Sequence, residues 1–90
     1  MYLHLGQDTV ITTDSIIGIF DIDRCTTSKK TRDYLSIAEK KKRVINVSYE
    51  LPKSFVVCEK NGEITVYISQ ISPKTLLFRY NSKNWLIYII

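Results

Sequence analysis

The chain has little of what most enzymes and metal proteins need. Among its 90 residues there is one histidine, His4, and two cysteines, Cys25 and Cys58, far apart and outside any CxxC pair. Zinc and related metals draw on clustered Cys and His ligands at short spacings, so neither a metal ligand nor a cofactor is assigned. With three glycines, Gly6, Gly18 and Gly62, the chain carries no P-loop, no GxGxxG and no GxSxG. His4 falls on an early β-prone stretch, where a packed or surface role is expected of it. Asp21 and Asp23 read as acidic residues at a strand end. No catalytic residue is assigned, and the expectation is a protein that is not an enzyme and has no small-molecule substrate.

Long apolar runs are missing as well. The run at residues 85–90 has six residues, whereas a membrane-spanning helix needs about 20. The opening MYLHLGQDTV has neither the basic region nor the apolar stretch of a secretory signal. These features predict a cytoplasmic protein with no membrane partner. In a reducing compartment the two cysteines are expected as free thiols.

What is present fits one small folded domain spanning residues 1–90. The hydrophobic fraction of 44% and charged fraction of 24% exclude the low-hydrophobicity, high-charge regime of disorder. A chain of this length buries only about 60–65% of its unfolded surface. Six tyrosines, three phenylalanines and one tryptophan are generous for so thin a core, and predict apolar surface covered by another subunit. The net charge of +4 is unevenly spread. Residues 1–23 hold Asp8, Asp14, Asp21 and Asp23 and no Lys or Arg, while residues 24–60 hold ten basic residues against four acidic ones. Such separation suits a basic face presented to a polyanion, or head-to-tail self-association.

The pattern along the chain is α+β: a small antiparallel sheet with one main helix and a short C-terminal helix. Residues 2–5 read as a strand, residues 6–8 as a turn and residues 9–13 as a second β-prone stretch. Residues 16–20 are apolar on both parities, the mark of a strand buried on two faces, one of which another subunit could cover in so small a domain. Residues 23–28 form a loop, with the helix N-cap among Thr26, Thr27 and Ser28, and the helix runs to about Lys41. Its wheel places Thr31, Tyr34, Leu35 and Ala38 toward the sheet, and Lys29, Arg32, Asp33, Ser36, Lys40 and Arg43 on the opposite side. Ile45, Val47 and Tyr49 alternate with polar residues as a half-buried strand. Residues 55–58 form a buried strand, and Asn61-Gly62 is a type I′ hairpin turn with Lys60 facing Glu63. The returning strand sorts Ile64, Val66 and Ile68 from Thr65, Tyr67 and Ser69. Ser72-Pro73 starts a helix carrying Leu76, Leu77 and Tyr80 on one side. The uncharged, β-prone residues 85–90 are expected to join a sheet or a subunit contact.

The basic helix is the candidate functional feature. Lys29, Lys30, Arg32, Lys40, Lys41, Lys42 and Arg43 are placed to meet phosphates, with Lys53 as an outlying cation. Phosphate contacts by lysine position a duplex without reading its bases. The competing reading is that a helix needs a solvated face and lysine commonly supplies it.

Several stretches resemble a known family. The opening Met1-Tyr2-Leu3-His4-Leu5-Gly6, the strand at residues 16–20 followed by Asp21, and Ile45-Asn46-Val47-Ser48-Tyr49 leading to Phe55-Val56-Val57 are similar to the bacterial RemA/RemB extracellular matrix regulators, nearer the RemB branch. The likeness runs from residue 1 to about residue 80. It implies a small LytTR-like fold, assembly into closed rings, and duplex-DNA binding in control of matrix (biofilm) genes. It also implies DNA-contacting arginines just before the strand at residues 16–20 and in the turn before residues 55–58. Here those positions hold Ser15, Leu51, Pro52 and Ser54, and only Lys53, one position displaced, keeps a positive charge. The sequence therefore predicts a DNA-binding homo-oligomer. The alternative is an oligomeric structural or adaptor protein of the same family that contacts protein partners and no DNA.

Overall fold

The computed structural model describes residues 2–25 and 27–81. The strands are β1 (Tyr2–Gly6), β2 (Thr9–Thr12), β3 (Ile16–Asp21), β4 (Val44–Asn46), β5 (Ser54–Lys60) and β6 (Glu63–Ser69). The helices are α1 (Ile22–Cys25), α2 (Lys29–Lys40) and α3 (Pro73–Asn81), and a 3-10 turn covers Thr13–Ser15. β1 and β2 make a separate antiparallel hairpin, while the main sheet has the order β3-β5-β6-β4. β4 joins β6 in parallel and the other pairings are antiparallel. The α+β expectation holds.

The central strand β5 organises two cores. Alternate side chains of a strand point to opposite faces, so Phe55 and Val57 pack with Val66 of β6 and Ala38 of α2. Val56 and Cys58 face the other way, against Leu3, Leu5 and Ile11 of the hairpin and Leu76 of α3. The molecule is thus layered, with α2 on one side of the sheet and the hairpin with α3 on the other.

Local chemistry fixes the ends of these elements. Asn61 and Gly62 stand at φ 54° and 81°, as a type I′ turn requires, and Lys60 opposes Glu63 across it. Ser72 Oγ accepts the Thr75 N–H at 3.2 Å and caps α3, with Pro73 in the first helical position. Two fully buried serines, Ser54 and Ser69, lie opposite each other across β5 and β6. Ser69 Oγ donates to the Leu5 carbonyl at 2.5 Å and accepts the Ile71 N–H at 3.0 Å. Ser54 Oγ donates to the Ile71 carbonyl at 2.7 Å. The pair pins β1 and the start of α3 to the sheet.

Five expectations need correction. The first concerns the strand at residues 16–20, one face of which is not buried within the protomer. Among the described residues β3 is an edge strand with Ile17 57% exposed and Phe20 37% exposed, because the core beneath α2 takes its strand residues from β4, β5 and β6. Second, the loop expected at residues 23–28 begins with the helical turn α1, for which Asp21 Oδ1 accepts the N–H groups of Asp23 and Arg24 at 2.9 and 3.1 Å. Third, the alternation of Ile45, Val47 and Tyr49 fails. β4 stops at Asn46, so Val47 is buried, Ile45 sits exposed at the sheet edge, and Tyr49 is fully solvated beyond the strand. Fourth, Tyr34 is exposed, since it faces the side of α2 that overhangs β3, while Ala38 is buried and Thr31 and Leu35 are half-buried. Last, α3 buries Leu76 alone of its expected apolar side, leaving Leu77 and Tyr80 exposed. The N-cap of α2 is Ser28. Thr26 and residues 85–90 lie outside the described residues, as does the side chain of Cys25.

Candidate nucleic-acid interface

α2 and the turn that ends it carry seven of the thirteen basic residues. Its twelve residues rise about 1.5 Å each and make a helix of about 18 Å. Lys29, Lys30 and Arg32 occupy its first turn, and Lys40, Lys41, Lys42 and Arg43 cluster at its other end; all seven are exposed. Asp33 and Glu39, also exposed, interrupt the charge between the two groups.

The C-terminal cluster owes its shape to the way the helix stops. Arg43 N–H reaches the Ala38 carbonyl at 2.9 Å and Lys42 N–H the Glu39 carbonyl at 2.9 Å, the paired bonds of a Schellman ending. Lys42 takes the left-handed position at φ 59°, where glycine is the usual occupant. The chain then turns at once into β4, fixed by the Val66 N–H on the Arg43 carbonyl at 2.8 Å. Four consecutive cations are thereby folded around the negative end of the helix dipole, where they are favoured. Asp8 and Asp14 lie elsewhere, in the β1–β2 turn and in the 3-10 turn after the hairpin. Lys53 is exposed but stands off the helix, in the segment before β5, with its N–H on the Ser69 carbonyl at 2.9 Å and its carbonyl accepting the Ile22 N–H at 3.1 Å.

The positions named by the family resemblance fare differently. Ser15 is half-buried, and its hydroxyl donates to the Thr12 carbonyl at 2.6 Å. Ser54 has no exposed surface at all, Pro52 is half-buried and Leu51 is 82% exposed. Ile16 pairs with Cys58 and Asp21 with Ser54, so Ser15 and Ser54 stand at opposite ends of the β3–β5 pair, separated by about 20 Å of strand. Within one protomer these two places cannot meet the same phosphate.

Sequence reasoning missed an apolar groove between α2 and β3. Ile17, Phe20, Tyr34 and Lys30 border it, with Phe55 and Val57 as its floor. Phe20 stacks on Phe55 with ring centroids 5.0 Å apart and planes inclined by 19°. Gly18 was the available signal. A Cβ there would fall 2.5 Å from the Phe20 ring, so the ring lies across the glycine.

Among the described residues, the titratable groups outside α2 do not converge on one site. A hollow of about 450 Å³ is lined by Thr12, Ser15, Cys58, Lys60, Glu63 and Tyr67 among others. Burial pushes the Cys58 thiol above its ordinary range, with a smaller opposing effect from the Ser15 hydroxyl. Burial, then the nearby Cys58, raises Tyr67 in the same way. Both groups are therefore held neutral and protonated, the opposite of an activated nucleophile. His4 Nε2 lies 2.6 Å from the Gln7 carbonyl, which holds the ring against its own turn. Among the described residues no group of three or more His, Cys, Asp or Glu side chains could hold a metal ion, and no helix is long and apolar enough to cross a membrane.

Comparison with known proteins agrees with the resemblance in the strands. The pattern of the RemA-like family, described as extracellular matrix regulatory protein A-like, matches residues 2–79. The chain is also 37% identical over 76 residues to extracellular matrix regulatory protein B of Bacillus subtilis (strain 168), covering 84% of this chain and 85% of that protein. A match of this extent, in a fold with the expected strands and helices, shows that the chain belongs to the RemA-like family of extracellular matrix regulatory proteins.

Proposed function

We propose that this protein is a DNA-binding regulator of extracellular matrix (biofilm) genes that acts as a homo-oligomer. Each protomer contacts the phosphate backbone through Lys40, Lys41, Lys42 and Arg43, and through Lys29, Lys30 and Arg32 at the other end of α2. Lys53 adds an outlying contact. The observation that supports this reading is the exposure of Lys40, Lys41, Lys42 and Arg43 together at one end of α2. The Schellman bonds of Lys42 and Arg43 hold Lys42 at φ 59°, where a lysine costs backbone energy that glycine would avoid. Here the side chain completes a run of four cations. A single protomer offers few contacts, so affinity comes from several protomers held on one duplex.

Salt-titrated binding to duplex DNA tests the proposal. Affinity should fall steeply with salt, by about 0.9 log units per log unit of salt for each phosphate contact. Both affinity and slope should drop when Lys40, Lys41 and Lys42 are changed to Glu. Absence of binding at low salt, or binding indifferent to that triple change, would refute it.

A second reading has its own support. Ser54 is wholly buried and Leu51 is an 82% exposed aliphatic, so the segment before β5 presents an apolar surface and a single cation. An oligomeric adaptor that contacts a protein partner would use such a surface. Under that reading Leu51→Ser weakens capture of the partner while DNA binding is absent in both forms.

A further inference from the structure

Asparagine is a thermolabile residue, and the residue that follows it decides how readily it is lost. The reaction needs the next backbone nitrogen to reach the side-chain Cγ, so a bulky or hydrogen-bonded neighbour slows it. The chain holds Asn46, Asn61, Asn81 and Asn84, and of these Asn61 alone precedes glycine. Asn46 is followed by Val47, whose branched side chain is buried and whose N–H is held by the Ile68 carbonyl at 2.9 Å. Asn81 and Asn84 are followed by Ser82 and Trp85, both of which carry a Cβ.

The fold leaves Asn61 open to this reaction. Lys60 and Glu63 form the last rung of the β5–β6 ladder, so the Gly62 N–H lies beyond it and is not tied up in strand pairing. Asn61 and Gly62 are both exposed, which gives water access to the side chain. A Cβ built on Gly62 would meet nothing within 4 Å, so no neighbour packs on the attacking residue. Asn61 also borders the hollow of about 450 Å³, with Lys60 and Glu63 as the charged residues that share its lining.

We propose that Asn61 is a site of spontaneous covalent modification, converting through a cyclic imide to aspartate and isoaspartate. A base in solution takes the Gly62 N–H proton, and the nitrogen lone pair forms a bond to Asn61 Cγ. The Cγ–NH2 bond breaks and ammonia leaves with a proton. Water then adds to one of the two imide carbonyls. Cleavage between the imide nitrogen and Cγ gives aspartate, whereas cleavage between that nitrogen and the backbone carbonyl carbon gives isoaspartate; nothing is oxidised or reduced. Both products carry a new carboxylate, but their backbones differ. Aspartate suits a type I′ turn, so the hairpin keeps its register. Isoaspartate routes the main chain through the side chain and lengthens a two-residue loop by one methylene, and loop length fixes the pairing of a hairpin. β5 supplies side chains to both cores, so the second product weakens the strand pair on which they rest. The nitrogen and Cγ meet when the turn opens, so closure of the Lys60–Glu63 rung sets the pace.

Peptide mapping by mass spectrometry, after storage of the folded full chain in warm, mildly alkaline buffer, tests this. The fragment containing Asn61 should shift by the mass difference between NH2 and OH and resolve into aspartate and isoaspartate forms. Fragments containing Asn46, Asn81 and Asn84 should stay unshifted over the same period. Asn61→Gln should show no shift at that position, because its longer side chain would have to close a larger ring. The isoaspartate fraction should unfold at a lower urea midpoint than fresh protein and lose amide protection in β5 and β6, while Asn61→Asp unfolds with the parent. Earlier conversion of any other asparagine overturns the proposal. So does an unshifted Asn61 in the folded chain, and conversion of the same chain in urea would then assign the block to the closed turn. An isoaspartate fraction as stable as fresh protein overturns the broken turn.

Discussion

Lys42 shows at the residue scale how backbone cost and charge oppose each other. Its φ of 59° is free of cost for glycine, so Lys42→Gly should raise unfolding stability by about 0.5–1 kcal/mol while weakening DNA binding. Urea titration reads the first effect, and a variant no more stable than the parent would show that no strain is stored there. Gly18 makes the opposite case. Gly18→Ala drives a Cβ into the Phe20 ring and displaces it from Phe55, at a cost of about 1 kcal/mol. The loss should vanish in a Phe20→Ala background, where no ring remains to displace. Cys58 adds a dependence on pH. Its folded-state pKa is raised by burial, so the fold holds the proton more tightly than the unfolded chain does. The corresponding stability is complete below the ordinary thiol value of 9.0 and is lost as pH rises beyond it toward the folded-state value. Thermal midpoints of Cys58→Val should accordingly decline less than those of the parent at alkaline pH. Parallel decline would exclude the thiol as the cause.

At the scale of the element, the β5–β6 hairpin was the most legible part of the sequence. Its strands alternate cleanly and its turn residues leave one turn type open, so local chemistry and tertiary packing agree. Nothing lies within 4 Å of a Cβ built on Gly62, yet its φ is 81°. Gly62→Ala should therefore cost about 1–2 kcal/mol from backbone strain alone, with no change in packing detectable by chemical shifts beyond the turn. Ser69 was not legible. Its role depends on a carbonyl 64 residues away, that of Leu5, and no local pattern encodes such a partner. Ser69→Ala leaves the Leu5 carbonyl and the Ile71 N–H short of a buried partner, which should destabilise the fold by about 1–3 kcal/mol. A cost below a few tenths would mean that water replaces the hydroxyl. The basic run was readable as charge, whereas its crowding around one helix end was set by the turn at Lys42.

For the whole molecule, stability rests on two thin cores on either side of one sheet. A chain of this length is held by about 5–13 kcal/mol, so the loss of one wholly buried side chain matters. Leu76 is 0% exposed and packs with Leu3, Leu5 and Val56. Leu76→Ala should remove about 2–5 kcal/mol, whereas Leu77→Ala, at 45% exposure, should remove less than about 1. Equal losses in denaturant titrations would contradict the packing of α3. Some exposed rings and aliphatics gather in two places: Ile17, Phe20 and Tyr34 border the α2 groove, while Leu77 and Tyr80 line a shallow groove against β3. Tyr2, Tyr49 and Phe78 are exposed and line neither.

The sequence by itself determined the α+β class, most of the strand and helical segments, the hairpin turn and the family. Each is a local property of pattern or residue type. Only the tertiary structure decided that β3 is an edge among the described residues, that Ser54 is sealed in the interior, and that Phe20 stacks on Phe55 beside α2. Edges and burial depend on which distant segments pack together, and packing partners are not written in any window of the chain.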